Sequence, residues 1–289
     1  MEFRNSDQLK SFLKKESKRL NISITNVYNT FFAREFLYRL SKYNEKDILV
    51  KGSSAEITYL GRLVRAITDI DLACVNGYNE AMPILVRSMD DLGANNIKYE
   101  FSNGISRTPT GIYKLSLESN FGSIHQHLGM DLQDNYSRLI EPTEYIMPPI
   151  FEGDEPFSIY APSYEEYLAE KMCIIIESNN PEVLNTRVKD FYDIYQLHGG
   201  QYNPDKLTKF FRRMIKERGK ITLEDANTQM LDSEFIEKHK DIWESTKAKY
   251  DFLDKEIGLD GAVYYARGVI REQLHKSGQD LPVNKYIKY

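Results

Sequence analysis

The chain of 289 residues has few cysteines, a single tryptophan and no long apolar run. Its two cysteines, Cys74 and Cys173, lie far apart in apolar stretches, so we expect both to be free, buried and reduced. No apolar run reaches the roughly 18 residues of a membrane-spanning helix, and the charged N-terminus lacks the hydrophobic segment of a signal peptide. These absences predict a cytoplasmic protein that makes no contact with a membrane.

The composition is that of a folded protein with moderate acidity. Hydrophobic residues make up 41% of the chain, which is enough for a core and argues against disorder. The net charge of −5 argues against a protein that coats nucleic acid indiscriminately, although a local basic site remains compatible with it. The run from Lys206 to Lys220 is rich in positive charge and could contact nucleic-acid phosphate. A solvated helix face explains this run equally well.

Hydrophobic periodicity and turn residues predict two N-terminal helices, then a mixed region, then a helical C-terminal half. Several predicted strands follow one another without helices between them, which favours a mixed or antiparallel sheet in an α+β fold. Residues 141–162 contain five prolines and mark the predicted boundary between domains 1–150 and 151–289. The predicted helices are 6–20, 23–43, 53–63, 80–92, 163–178, a helix with an apolar stripe from Leu184 to Tyr195, and several within 203–276, and the predicted strands are 47–51, 67–75, 97–102, 111–117 and 123–132.

Two acids separated by one residue form the central motif of the chain. Strand geometry places Asp69 and Asp71 on one face, while the apolar residues between and after them face the other way. Two neighbouring carboxylates repel each other unless a cation lies between them, and Mg²⁺ or Mn²⁺ prefers such oxygen ligands. Upstream, Gly52 and Ser53 form a predicted turn into a helix, whose N-terminus suits a phosphate group. Nucleotidyl transfer needs this pairing of metal and phosphate sites.

A third acid, Asp131, also lies among apolar neighbours in a predicted strand. It could complete the metal site as a further ligand and act as general base on an attacking hydroxyl. The alternative is an ordinary acid at the end of a strand.

Charged residues in the C-terminal half form a second candidate group. Lys171 interrupts an otherwise apolar helical stretch, and Arg187 and Asp190 follow on the next helix. Lys171 and Arg187 could neutralise triphosphate charge, with Asp190 orienting one of them. The alternative is a set of helix-surface ion pairs, Arg187 with Asp190 and Lys189 with Asp193, which would contribute little stability.

In their joint order these motifs resemble those of the AbiEii/AbiGii-type nucleotidyltransferases, the toxins of abortive-infection and type IV toxin–antitoxin systems. The resemblance covers about residues 30–200, and Ser53 stands where many members have a second glycine. The motifs that carry it are Lys51-Gly52-Ser53, Arg65-Ala66-Ile67-Thr68-Asp69-Ile70-Asp71, Lys171, and Arg187-Val188-Lys189-Asp190-Phe191-Tyr192-Asp193.

The resemblance implies a polymerase-β-like nucleotidyltransferase fold, a mixed sheet with flanking helices, here joined to a helical C-terminal domain. It implies Mg²⁺-dependent transfer of a nucleoside monophosphate from an NTP, for some members to the 3′ end of tRNA, and a cognate antitoxin. Mapped onto this sequence, the motifs give Asp69 and Asp71 as metal ligands, and the position of Asp131 among apolar strand residues adds it as the third. The expected catalytic residues are these three acids, Lys171 and Asp190, and the expected nucleotide-binding residues are Gly52, Ser53, Arg65, Thr68, Lys171, Arg187 and Lys189.

Two other functions share these motifs. A non-catalytic binding module of the same fold is disfavoured by the three acids, because a buried acidic cluster without a metal is unfavourable. An antibiotic nucleotidyltransferase would use the same acids on a small acceptor, whereas the basic run at 206–220 favours a nucleic acid.

Overall fold

The computed structural model describes residues 1–134, 142–178, 187–220, 222–223, 226 and 231–278. The chain forms two compact units. Unit 1 comprises Met1–Pro162 and Tyr250–Leu253, and unit 2 comprises the remaining residues from Ser163 onward. These units differ from the predicted division after residue 150, because residues 151–162 and a short later segment both belong to unit 1.

Unit 1 begins with two helices whose ends follow from capping residues. Helix α1 spans Ser6–Leu20, where the Asn5 side chain accepts a hydrogen bond from the backbone N–H of Gln8. Helix α2 spans Ile24–Tyr43, and the Ser23 side chain caps it in the same way. Both helices lie within a residue of their predicted limits.

The sheet of unit 1 is mixed, as predicted. Strands β2 and β5 are parallel, and the other neighbouring pairs are antiparallel. Helices α3 and α4 precede and follow β2 in the chain. The elements are β1 (Ile48–Val50), α3 (Gly52–Leu60), β2 (Asp69–Cys74), α4 (Tyr78–Asp90), β3 (Lys98–Arg107), β4 (Ile112–Phe121) and β5 (Ile124–Gln133), and among the described strands the sheet order is β1-β2-β5-β4-β3.

The two faces of this sheet differ in chemistry. Ile70 and Leu72 of β2 and Met130 of β5 are buried in one hydrophobic core together with α2 residues such as Phe36. Because side chains alternate along a strand, the acids of β2 and β5 lie on the opposite face. Core packing thereby determines which face is left for charged groups.

The proline-rich segment contains two strands that the sequence did not predict. Strands β6 (Thr143–Met147) and β7 (Phe157–Ala161) pair in antiparallel fashion. The prolines lie next to the strand ends and never inside a strand, so no ladder hydrogen bond is lost. Residue 141 of the predicted boundary lies outside the described residues.

Unit 2 is helical in its described residues. Helix α5 contacts α7, and α6 contacts α9. Of the predicted elements, the start of a helix at Leu184 and residues 221, 224–225 and 227–230 lie outside the described residues. In the part of the chain that is described, no helix is both long and apolar enough to cross a membrane. The helices are α5 (Tyr164–Glu177), α6 (Lys189–His198), α7 (Pro204–Arg218), α8 (Ser233–Tyr250) and α9 (Leu259–Lys276).

The chain returns to unit 1 at the end of α8. The backbone N–H of Ala66 donates to the Tyr250 carbonyl, and that of Leu253 donates to the Val64 carbonyl, both at 3.0 Å. The Asp251 carboxylate accepts from the Ser23 backbone N–H at 2.8 Å. This segment therefore supports the stretch of chain that leads into β2.

Candidate active site

The acids of β2 and β5 are aligned by the parallel pairing of these strands. Asp71 is the register partner of Asp131, and Asp69 is the partner of Gly129. On the other side of β5, Lys114 of β4 is the register partner of Asp131. Residues in register share a face of the sheet, so Asp71, Asp131 and Lys114 form one row across three neighbouring strands.

The Asp131 carboxylate is bound by Lys114. The Lys114 ammonium lies 3.0 Å from Oδ1 and 2.9 Å from Oδ2 of Asp131. Asp69 instead accepts a hydrogen bond from the Thr68 hydroxyl at 3.2 Å. Within the described residues, no three His, Cys, Asp or Glu side chains are arranged to hold a metal ion. Asp69, Asp71 and Asp131 thus share a face of the sheet, but Asp131 is ion-paired with Lys114.

Gly52 lies directly against Asp71. Its φ of +57° is in the left-handed region, and a Cβ atom there would lie 1.9 Å from Oδ2 of Asp71. The backbone N–H of Lys51 donates to the Asp71 carbonyl at 2.8 Å. The start of α3 and the second acid are thus in contact, and only glycine fits between them.

Two buried hydroxyls lie in the first turn of α3. Ser53 is 2% exposed and Ser54 is 1% exposed, and neither Oγ has a hydrogen-bond partner among the described residues. Buried polar atoms normally have partners, and unpaired N–H groups at a helix N-terminus favour an anion. This turn is therefore suited to a phosphate group. Ser53 was predicted from the sequence as a phosphate-binding residue, whereas Ser54 was not, although it follows directly in Gly52-Ser53-Ser54.

The donor set on this face fits a hard divalent cation. Asp69 and Asp71 supply carboxylate oxygens on one face of β2, which are the ligands that Mg²⁺ and Mn²⁺ prefer. Asp131 is in register beside Asp71 and could add a third carboxylate once Lys114 releases it.

Arg65 takes part in the interior of unit 1. It is 1% exposed, its Nη2 lies 3.4 Å from Oε2 of the buried Glu56, and its guanidinium stacks 5.6 Å from the centre of the Tyr250 ring. These contacts give Arg65 a structural role, and its role in nucleotide binding stays a prediction.

A second group of charges is buried in unit 2. The Lys171 ammonium lies 2.6 Å from Oδ1 of Asp190 and 2.7 Å from Oδ2 of Asp193, and both acids are fully buried. The predicted pair of Arg187 and Asp190 is present at 2.9 Å. Asp193, which helical spacing placed beside Lys189, contacts Lys171. Lys171 therefore joins α5 to α6 through two carboxylates.

Electrostatics keep Asp190 ionised. Burial alone would raise the pKa of Asp190, but the ammonium of Lys171 and the guanidinium of Arg187 outweigh it and lower the pKa below its ordinary value. A carboxylate held between two cations in this way can fix their positions.

The predicted site residues divide between the two units. Lys114 and Glu56 were missed because their ion-pair partners, Asp131 and Arg65, lie outside their own elements. Ser54 has no such partner within the residues described and was missed as the direct neighbour of Ser53. The predicted residues in unit 1 are Gly52, Ser53, Arg65, Thr68, Asp69, Asp71 and Asp131, and those in unit 2 are Lys171, Arg187, Lys189 and Asp190.

Comparison with known proteins identifies the family. The family model for the nucleotidyl transferase AbiEii toxin of type IV toxin–antitoxin systems matches residues 35–263. This range covers most of the chain, which therefore belongs to this family of nucleotidyltransferase toxins. Curated proteins give no significant sequence match.

Solved structures share the fold. MenT4, a nucleotidyltransferase toxin from Mycobacterium tuberculosis, is 14% identical with a TM-score of 0.53, covering 92% of this chain and 98% of that chain. JHP933 from Helicobacter pylori is 14% identical with a TM-score of 0.51, covering 88% of this chain and 94% of that chain. At this identity the likeness concerns the fold alone, and it confirms the predicted α+β nucleotidyltransferase fold.

Proposed function

We propose that this chain transfers a nucleoside monophosphate from an NTP to an acceptor hydroxyl, with the 3′ end of tRNA as the acceptor, and so acts as a toxin. The observation that carries the proposal is the contact between Gly52 and Asp71. It places a helix N-terminus with unpartnered buried hydroxyls against a sheet face that bears three acids. The proposed phosphate site and the proposed cation site would thus be adjacent, as nucleotidyl transfer requires.

Asp69 and Asp71, with Asp131, would hold Mg²⁺ or Mn²⁺. When bound, the cation would neutralise phosphate charge and polarise the phosphoryl oxygens. The backbone N–H groups at the start of α3 and the Ser53 hydroxyl would bind the triphosphate.

Transfer forms one bond and breaks another. The acceptor oxygen attacks the α-phosphorus, the bond from that phosphorus to the pyrophosphate oxygen breaks, and Asp131 takes the proton of the acceptor hydroxyl. Lys171 and Arg187 would neutralise charge on the departing pyrophosphate, while Asp190 positions both cations. Lys189 and Thr68 would support nucleotide binding.

The basic helix α7 supports an RNA acceptor. Lys209, Arg212 and Lys216 follow one face of this helix, and none has an ion-pair partner among the described residues. With Arg213 and Lys220 they line an open groove of about 980 Å³. Unpaired cations along a groove attract a phosphate backbone, whereas a small antibiotic would need no such surface.

The proposed reaction also indicates where the protein acts and which partner it has. NTP and tRNA are both cytoplasmic, so we propose a cytoplasmic toxin. A type IV system also includes a cognate antitoxin, and we propose it as the partner that limits the activity.

The test is to incubate the protein with Mg²⁺ and each α-³²P-labelled NTP, in separate mixtures with total cellular RNA, protein or an aminoglycoside. We expect label in RNA of tRNA size and at its 3′ end. Asp69→Asn and Asp71→Asn variants, folded by circular dichroism, are the inactive controls. Label in the aminoglycoside would favour the antibiotic enzyme, and NTP binding without any transfer would favour the non-catalytic module.

A further inference from the structure

The row of residues across β2, β5 and β4 contains a cation that the motifs do not include. Lys114 contacts both oxygens of Asp131, at 3.0 and 2.9 Å. Both residues sit on the sheet face that carries Asp69 and Asp71, because Lys114, Asp131 and Asp71 are in register. A positive charge thus contacts both oxygens that a metal ion or an acceptor proton would use.

The strength of this contact can be bounded. The Lys114 side chain is 55% exposed and that of Asp131 is 38% exposed, so solvent screens the pair. Exposed ion pairs contribute about 0.2–1 kcal/mol, which corresponds to roughly a 1.5- to 5-fold change in an equilibrium constant. A contact of this strength lowers the metal affinity of Asp131 by a small factor, but it does not prevent Asp131 from binding a metal ion.

We propose that Lys114 is a positioning residue that holds Asp131 out of the metal site of the nucleotide-free protein. This inference rests on the proposed function. In this arrangement Asp69 and Asp71 provide the first metal ligands. Asp131 joins only after Lys114 has moved, and the phosphate oxygens of a bound RNA acceptor are suitable new partners for its ammonium. The consequence is that the general base is withheld from water while no acceptor is bound, which limits idle hydrolysis of NTP.

A matched control exists in the same sheet. Arg107 of β3 forms an ion pair with Asp134 at 3.1 Å, in which the Arg107 side chain is also 55% exposed and that of Asp134 is 10% exposed. Asp134 follows Gln133 at the end of β5, so it lies outside the row formed by Asp71, Asp131 and Lys114. Removing the Arg107 side chain breaks an ion pair of an equally exposed cation without freeing a candidate ligand.

The experiment is a Mn²⁺ titration of the nucleotide-free full chain, followed by the electron paramagnetic resonance signal of free Mn²⁺. We expect Lys114→Met to bind Mn²⁺ about 1.5- to 5-fold more tightly than the parent at low salt, and the gain to shrink at high salt. Lys114→Arg should behave like the parent, because it keeps the cation. Arg107→Met should leave the affinity unchanged, and adding Asp131→Asn to Lys114→Met should remove the gain.

A second measurement follows the hydrolysis of NTP in the absence of an acceptor. With Mg²⁺ and NTP but no acceptor, Lys114→Met should release nucleoside monophosphate faster than the parent by a similar factor. Equal Mn²⁺ affinity of the parent and Lys114→Met, while Asp69→Asn abolishes binding, would overturn the role of Lys114 and leave the metal site intact. Mn²⁺ binding that is unaffected by Asp69→Asn would overturn both the metal site and this inference.

Discussion

A Cβ atom added to Gly52 would lie 1.9 Å from Oδ2 of Asp71. This approach brings the start of α3 against the acid face of the sheet, so the proposed phosphate and metal sites share a boundary. No side chain can be inserted there unless the carboxylate or the helix moves.

Gly52→Ala should therefore abolish nucleotide binding and transfer. The new methyl group would displace the Asp71 carboxylate, and the positive φ adds a strain of about 1–2 kcal/mol. Gly61→Ala is the matched control, since Gly61 also has a positive φ, at +65°, but nothing lies within 4 Å of its Cβ position. Isothermal titration with NTP and Mg²⁺ measures the effect. If Gly52→Ala binds NTP as tightly as the parent does, the contact between Gly52 and Asp71 does not contribute to nucleotide binding.

Stabilisation by NTP should depend on a divalent cation. A ligand that binds only the folded state at about 100 times its Kd adds about 2.7 kcal/mol to the free energy of unfolding. We expect NTP with Mg²⁺ to raise the Tm by several degrees, and NTP with a chelator to raise it much less. Differential scanning fluorimetry measures the shift.

Asp69→Asn and Asp71→Asn should lose this Mg²⁺-dependent shift, while the exposed Asp90→Asn keeps it. Without metal, either site variant should melt at or above the parent Tm, because like-charge repulsion is relieved. An equal shift with and without chelator would count against a cation between protein and triphosphate.

The buried charges of unit 2 predict a specific acid sensitivity. The folded-state pKa of Asp190 is lowered, so the unfolded chain binds a proton more readily. The stabilisation is therefore fully present above the ordinary Asp pKa of 3.8 and is lost as the pH falls through the lower folded-state pKa.

Urea unfolding across a pH series below neutrality measures this linkage. The free energy of unfolding of Asp190→Asn should fall less steeply with acid than that of the parent, and the exposed control Glu217→Gln should follow the parent. Parallel curves for Asp190→Asn and the parent would show that Asp190 titrates alike in the folded and unfolded chain.

Charge reversal on α7 should weaken the use of RNA and leave NTP binding unchanged. Lys209→Glu/Arg212→Glu/Lys216→Glu removes the unpaired cations of the groove, and each lost phosphate contact should flatten the salt dependence of RNA binding. The control reverses three exposed lysines of α8, Lys238, Lys240 and Lys249. Labelling of RNA across a salt series compares them. Equal labelling by both triple variants and the parent would place the acceptor elsewhere.

Much of the site was visible in the sequence because its signals are local. The alternation around Asp69 and Asp71 determines that they share a face, whatever the strand pairs with. Capping residues such as Asn5 and Ser23 defined helix ends, and helical spacing predicted the pair of Arg187 and Asp190. Each of these relationships involves residues only a few positions apart.

Tertiary structure decided the rest. Strand pairing set the register that aligns Asp71, Asp131 and Lys114, and no local pattern encodes which strands become neighbours. Arg65, whose motif suggested nucleotide binding, is buried against Glu56 in the interior of unit 1. Periodicity gives the face of each element, but the partner of a charged side chain depends on which distant segments pack together, and that is decided by burial of the whole core.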